Sequence, residues 1–468
     1  VVRGYRLGEV VQADLPEIKQ DAVIGLARAA DLNKRPAVLV DLGCSVRNAA
    51  MPHPCPADPE TMRAGVAKRF CSQTPIPDGD LLREFKTWTY NKIRELWPER
   101  PGPETDVSFE SWLKKCNYPE YRKTELRDLN NLRNGHLEDR DYIVKSFMKD
   151  ETYPEYKYAR GINSRSDMFK IFVGPIFRII EEIVFKLPEF IKKIPVRDRP
   201  AYIKEKLERI GCTYLSTDYT AFETLFTKEM MEACEMQLYE YLSSDLNGGP
   251  EWYKVVHDTL TGENFCRFKF FDVVCSATRM SGEMNTSLGN GFTNLMAMWF
   301  LSEKAGCTDF AMVAEGDDGL STMTGQPPTS ADFAKLGLNI KLQRHDKLEE
   351  ASFCGLVFDP DDLINVTDPR EVLCEFGWAL SRYANCRRNR LMALLRCKSL
   401  SYQHQYPGSP IIQSLAQYGL RCTSGFDVRH FATTNRNYSM WEREQVLQAI
   451  DIPVLELHTW LNHLRRGF

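Results

Sequence analysis

The chain has 468 residues, 43% of them apolar, with 60 Lys and Arg against 64 Asp and Glu. That length allows about three ordinary domains or one large multi-lobed enzyme, and the composition excludes a disulfide mini-protein, a collagen-like fibre and a disordered tail. A net charge of −4 argues against a wholly basic nucleic-acid binder but leaves room for a local basic channel.

Residues 1–80 read as irregular, with Pro and Gly breaks through 51–60 and 74–80. The spacing of Leu82, Phe85, Trp88, Ile93 and Trp97 predicts a helix over 81–97, stopped by Pro98. Residues 98–106 read as a loop, and 107–210 as mixed helices and strands with basic residues through 114–170. The most apolar run, 171–187, is interrupted by Arg178, Glu181 and Glu182, so it reads as a core helix rather than a membrane span. No signal peptide is read at the start. The β-rich run 212–222 ends near Asp218 and precedes a helix over 226–242 with Thr227 as N-cap. A break at 245–250 separates it from one or two strands in 264–280. Then come a helix from Thr286 to Glu303, a hairpin over 310–323, a short helix near 330–336, and strands at 338–342 and 352–358. Beyond 361 the pattern is helical with basic clusters and suggests a separate lobe. The fourteen cysteines include no CxxC pair and read as reduced thiols; Cys44, His53 and Cys55 match no zinc spacing.

Acid is concentrated where structure alone gives little reason for it. Asp218 lies at the end of a buried strand, and Asp317-Asp318 lie at a hairpin tip between Gly316 and Gly319. Adjacent like charges repel unless a cation neutralises them. An isolated Gly-Asp-Asp-Gly is also an ordinary solvated turn, but Asp218 supplies a third carboxylate for the neighbouring strand. Three carboxylates at adjacent strand ends can hold two Mg²⁺ ions, and such a pair supports nucleotidyl transfer. On the intervening helix, Thr286, Asn290 and Thr293 share one face and Leu288, Phe292, Leu295 and Trp299 the opposite one. Gly289 and Gly291 cost about 1 kcal/mol each in a helix relative to Ala, which points to a close approach of backbone or ligand.

The order DYTAFE (218–223), SGEMNTSLGN (281–290) and EGDDG (315–319) resembles motifs A, B and C of viral RNA-dependent RNA polymerases, with the best likeness to the tombusvirus-like and flavivirus-like group of positive-strand viruses. Residues 147–167 resemble motif F, with Lys149, Lys157, Arg160 and Arg165 at its basic positions. Residues 117–123 resemble motif G, 333–342 motif D and 352–358 the motif E primer grip containing Cys354. The resemblance implies an α+β right-hand polymerase with an antiparallel palm sheet carrying the metal site. Fingers would occupy 1–210 and 245–280, palm 211–244 and 281–360, and thumb 361–468.

It further implies two Mg²⁺ or Mn²⁺ ions held by Asp218, Asp317, Asp318 and the backbone carbonyl of Tyr219, with Lys341, in preference to Lys335, as the motif D acid. Nucleotide would meet the motif F cations together with Glu223, Ser281, Thr286 and Asn290; RNA would meet Gly282, Cys354, Arg387 and Arg388, within a basic run that also holds Arg382, Arg390, Arg396 and Lys398. Glu223 stands where the family usually has Asp, so its geometry at the ribose must differ. The implied partners are RNA template and product, ribonucleoside triphosphates and other viral replicase proteins, at a membrane-associated complex in the host cytoplasm reached through those partners. Two rivals are a reverse transcriptase and a polymerase fold that only binds RNA. Gly316 and Glu223 argue against the first, and the complete set of acids against the second.

Overall fold

The computed structural model describes residues 16–26, 39–45, 53–153, 157–354, 356–359, 363–406, 409–426 and 428. Two short strands open it, β1 (Val23–Ile24) and β2 (Val40–Asp41). Helix α1 (Pro59–Arg69) then forms inside the segment whose sequence reads as irregular. Asp58 caps it by accepting from the Thr61 N–H at 2.8 Å, and Pro59 occupies the first turn. Its buried residues, Thr61, Met62, Ala64, Gly65, Val66 and Ala67, surround the axis, so there is no apolar stripe to detect.

Helix α2 (Gly79–Leu96) follows the predicted bounds closely and is capped by Asp78. Helices α3 (Phe109–Lys115) and α4 (Glu120–Arg133) lead to the antiparallel pair β3 (Val144–Met148) and β4 (Gly161–Ser164). The core helix α5 (Asp167–Val184) covers most of the apolar run, and α6 (Arg199–Leu207) precedes β5 (Thr213–Tyr219). The helix expected over 226–242 is two helices, α7 (Lys228–Ala233) and α8 (Glu235–Ser243), broken at Cys234; the break lets Glu235 turn into the interior. Helix α9 (Gly249–Leu260) follows directly, then the hairpin β6 (Glu263–Arg267) and β7 (Asp272–Ser276).

Helix α10 (Thr286–Lys304) is buried nearly all round; Thr293 is enclosed with the apolar residues instead of sharing a polar face. Strands β8 (Thr308–Glu315) and β9 (Asp318–Thr324) form the expected hairpin, followed by α11 (Ser330–Lys335) and β10 (Ile340–His345). Residues 352–358 form a hairpin rather than one strand: β11 (Ser352–Phe353) turns back into β12 (Leu356–Asp359), with Cys354 in the left-handed region at φ 53°. Strand β13 (Ile364–Val366), helix α12 (Pro369–Glu375), strand β14 (Trp378–Ala379) and helices α13 (Arg388–Gln405) and α14 (Pro410–Cys422) complete the described chain.

Four sheets organise these elements. The central one is antiparallel in the order β10-β5-β9-β8, and a five-stranded sheet runs β1-β7-β6-β3-β4. The segments 144–164 and 263–276 therefore share one sheet although α5 to α9 lie between them in sequence. One face of the central sheet, with Leu215, Tyr219, Met312 and Met323, packs on α10, α2, α5 and α7 to α9 in the largest apolar core. The other face, with Tyr214, Val313 and Leu320, packs on Ile191, Ile203 and Leu207, so residues from about 190 belong with this sheet rather than with the expected fingers. Residues 40–44 likewise depart from that division: β2 pairs with β14, and Val40, Leu42 and Cys44 pack with Phe376, Leu391 and Leu395. Among the described residues no helix is long and apolar enough to cross a membrane. All fourteen cysteines are free thiols, and His53 is paired with Asp150 at 2.7 Å.

Candidate active site

The site begins with strand register. The last β5–β9 pair is Thr217↔Gly319, and the next residue on each strand is Asp218 and Asp318. Both are exposed, on the sheet face that also carries Tyr214 and Leu320. Lys341 pairs in register with Asp218 on the other side and is exposed too. Lys335, by contrast, lies in the last turn of α11 beside Asp332 at 3.7 Å. Gly316 and Asp317 form the two-residue loop between Glu315 and Asp318, with Gly316 at φ 64°. That loop type needs Gly in its first central position.

The turn is held from beneath by Asn294 of α10, which is fully buried. Its amide nitrogen faces the carbonyls of Gly316, Asp317 and Asp318 at 3.4, 3.1 and 3.3 Å. Its amide oxygen accepts from the Tyr219 hydroxyl at 3.2 Å, and Thr217 Oγ1 donates to the carbonyls of Asp317 and Gly319 at 3.4 and 3.2 Å. A side chain at position 319 would collide with Met312, Thr217 and Asn294, so the second glycine is needed for close packing.

These constraints press negative charge together. The Asp318 carboxyl is pushed up to about 6, first because the surrounding protein thins its hydration, then because Asp317, Asp218 and Glu315 repel its charged form. A hydrogen bond from the Cys354 thiol partly offsets this, while burial and the nearby carboxylates hold that thiol far above its ordinary range. Cys354 thus faces the carboxylate face, from a hairpin expected to contact RNA. Clustered, under-neutralised carboxylate oxygens are the donor chemistry that Mg²⁺ and Mn²⁺ favour. As placed, no three His, Cys, Asp or Glu side chains among the described residues stand close enough to enclose an ion.

The motif B residues are bonded to their neighbours. Ser281 Oγ donates to the Gly161 carbonyl at 2.9 Å and Thr286 Oγ1 to the Met280 carbonyl at 3.0 Å. Asn290, 9% exposed, accepts from Arg279 Nε at 3.0 Å. Gly282 lies against β4: a Cβ there would come within 2.5 Å of the Asn163 carbonyl, so protein backbone accounts for this glycine, expected at RNA. Gly289 similarly makes room for Glu235, Arg279 and Tyr239. Burial raises the Glu223 carboxyl above its usual range, Asp317 adds to the rise, and Arg69 and Arg160 oppose it.

Residues 80–354 match the family described as viral RNA dependent RNA polymerase. The chain belongs to that family. It is an RNA-dependent RNA polymerase, a nucleotidyltransferase, of a family whose members work with divalent metal ions. The match does not single out a group of viruses within the family, and a comparison with curated proteins found no match.

The cations expected in motif F of the polymerase are placed unequally. Lys149 is half-buried and Arg160 exposed; they lie 3.2 and 3.9 Å from Glu151, and the Arg160 charge also reaches Glu223. Lys157 is exposed, and its charge reaches Glu371 of α12. Arg165, expected at the nucleotide, is buried; its guanidinium meets Glu283 at 2.8 Å, the Tyr142 carbonyl at 2.6 Å and Asn264. It joins β4 to the motif B loop, and we leave it out of the nucleotide set. We expect Arg160→Ala to raise the nucleotide KM about tenfold or more, the scale of one charge-assisted bond, and Lys157→Ala less. Steady-state titration of GTP in primer extension checks this; a fall in RNA affinity with an unmoved KM would place both on the template path.

The sequence offered no signal for Arg69 or Lys19. Arg69 of α1 donates to the Tyr158 carbonyl at 3.4 Å beside Glu223, and Lys19 Nζ donates to the Thr224 carbonyl at 2.8 Å. Both lie before the family match, where no motif marks them. In the C-terminal lobe, Arg387 and Arg388 are exposed at the start of α13, where cations oppose the helix dipole. Arg396 and Lys398 instead bind the carbonyls of Leu420 and Thr423, and of Glu375 and Trp378. They tie the lobe together.

Proposed function

We propose that the polymerase extends an RNA 3′ end on an RNA template by two-metal-ion transfer from ribonucleoside triphosphates. The observation that supports this most is the alignment of Asp218 and Asp318 on adjacent strands, with Asp317 in the turn between β8 and β9. In this reading Asp218, Asp317 and Asp318, with the Tyr219 carbonyl, hold two Mg²⁺ or Mn²⁺ ions. When bound, the ions activate the attacking hydroxyl and stabilise the departing pyrophosphate. The protein supplies the frame: Asn294 and Thr217 keep the acidic turn in place before substrate arrives. In the same reading Lys341 gives a proton to the pyrophosphate, which its register opposite Asp218 supports. Arg160 and Lys149 face the triphosphate, while Glu223 and Asn290 sense the ribose.

The central sheet is then the palm, the five-stranded sheet the fingers, and the helices beyond residue 361 the thumb. Arg387 and Arg388 meet RNA phosphates from the thumb, which explains cations at a helix N-terminus. Other viral replicase proteins bring the chain to a host membrane. Primer extension on a defined RNA template, with and without a chelator, tests the chemistry. Extension that survives chelation would refute the metal assignment, RNA binding without extension would favour a binding-only role, and a preference for deoxynucleotides would favour a reverse transcriptase.

Glu223 yields a sharper expectation. A pocket that hydrogen-bonds a hydroxyl rejects a substrate lacking it, because a buried polar group is left unpaired at a cost of about 1–3 kcal/mol. Glu223→Ala should therefore lower the preference for GTP over dGTP about tenfold to a hundredfold, and Glu223→Asp should keep much of it. An unaltered ratio in Glu223→Ala would remove the carboxylate from the sugar site.

A further inference from the structure

Glu223 and Asn290 lie on different elements, and Arg279 binds both. Its backbone N–H donates to the Glu223 carbonyl at 2.9 Å, directly after the Thr278 N–H donates to the Phe226 carbonyl at 2.9 Å. Its side chain is buried and stacks over Phe226 with the guanidinium carbon 4.1 Å from the ring centroid. Its Nε donates to Asn290 Oδ1 at 3.0 Å, and its Nη2 is paired with Glu235, whose side chain is wholly buried. Glu235 in turn accepts from the Tyr239 hydroxyl at 2.7 Å. The loop just before Arg279 is strained: Ala277 and Thr278 are consecutive non-glycine residues in the left-handed region, at φ 46° and 68°. Such strain persists only where surrounding bonds hold it in place, and it clusters at functional sites.

The chemistry of the bond to Asn290 fixes the amide's orientation. A guanidinium is donor-only, so the amide must present its oxygen to Arg279 and direct its NH₂ group elsewhere. We propose that Arg279 is a positioning residue for sugar selection. It locks the Asn290 amide with Nδ2 outward and holds the Glu223 backbone, so that a ribose 2′-hydroxyl accepts from Asn290 and donates to the Glu223 carboxylate. This rests on the reading of Glu223 and Asn290 as the ribose-sensing pair, and adds what sets their orientation.

Two measurements test it. Removing Arg279 alone would leave the Glu235 charge buried without its counter-charge, so the variant is Arg279→Met with Glu235→Gln, which discharges both partners. Its ratio of kcat/KM for GTP over dGTP should fall about tenfold while RNA synthesis persists. Glu235→Gln alone, which leaves the bond to Asn290, should keep the ratio within about twofold. Asn290→Asp still accepts from Arg279 but loses the outward donor, so it should lower the ratio by a similar factor. Adding it to the double variant should cause little further loss, since both act through one bond. The second measurement leaves Arg279 in place. A 2′-fluorine accepts from a locked outward NH₂ but cannot donate to Glu223, so the comparison is made in Glu223→Ala, which should use 2′-fluoro-GTP better than dGTP.

An unchanged ratio in the double variant, with Asn290→Asp impaired, would overturn the role of Arg279 and leave the ribose-sensing pair standing. An unchanged ratio in Asn290→Asp would overturn both. Use of 2′-fluoro-GTP no better than dGTP by Glu223→Ala would overturn the locked orientation even if the double variant failed to fold.

Discussion

Asp317→Asn and Asp318→Asn should each abolish nucleotide addition while leaving the protein folded. Removing a carboxylate that holds a metal forfeits several kcal/mol of charge stabilisation in the transition state, which corresponds to a rate loss of about a thousandfold or more. Stability should not fall with it. Asp318 is crowded by Asp317, Asp218 and Glu315, whose charges repel its own, so a neutral amide relieves strain in the metal-free protein. Single-turnover addition and thermal melting of the purified variants separate the two effects. Extension at the unsubstituted rate in either variant would refute the metal assignment, and unfolding without metal would show that these acids have a structural role.

Asn294→Ala should damage both stability and rate. The change removes a fully buried amide, leaving the Tyr219 hydroxyl and the turn carbonyls of Gly316 and Asp318 without it and the Asp317 carbonyl with Thr217 alone. Unpaired buried groups and the small cavity together should cost about 2–4 kcal/mol. The acidic turn loses its brace, and a displacement on the order of 1 Å at reacting groups can lower turnover about a hundredfold. Asn294→Asp should be worse than Ala, because it aims an acceptor at three carbonyl oxygens. Melting curves and single-turnover rates check this; a normal rate in a destabilised Asn294→Ala protein would reduce the residue to a packing role.

The central strand, the acidic hairpin and the helix between them were legible because each carries its own local signal. A β-rich run ending in Asp218, Gly-Asp-Asp-Gly at a turn and a long apolar helix need no tertiary information. Helix α1 was not legible, because burial on all sides erases the periodicity that marks a helix. A turn inside 352–358 was hidden for a related reason: an unbroken apolar run reads the same whether or not it doubles back at Cys354.

Charge misled in one place and was silent in another. Arg165 occupies a motif position, yet Glu283, remote in sequence, takes its guanidinium into the interior. Asn294 sits one turn beyond Asn290 on α10 and looks like any polar residue on that helix. Only the three-dimensional path of the β8–β9 turn gives it a task.

The pairing of β14 with β2 has a consequence for biosynthesis. Trp378 and Ala379 complete a ladder with Asp41 and Val40, more than three hundred residues earlier, and Val40, Leu42 and Cys44 are part of the C-terminal lobe's own core. At usual translation speeds the early segment waits roughly 20–70 s for its partner to emerge from the ribosome. Throughout that interval it presents an unpaired edge and bare apolar side chains, which invite aggregation. Closing so long a loop also makes this ladder a late and slow event in folding. A fragment starting near residue 361 would lack part of its own interior, so the lobe should not fold when expressed by itself, and supplying residues 39–45 as a separate peptide should restore it.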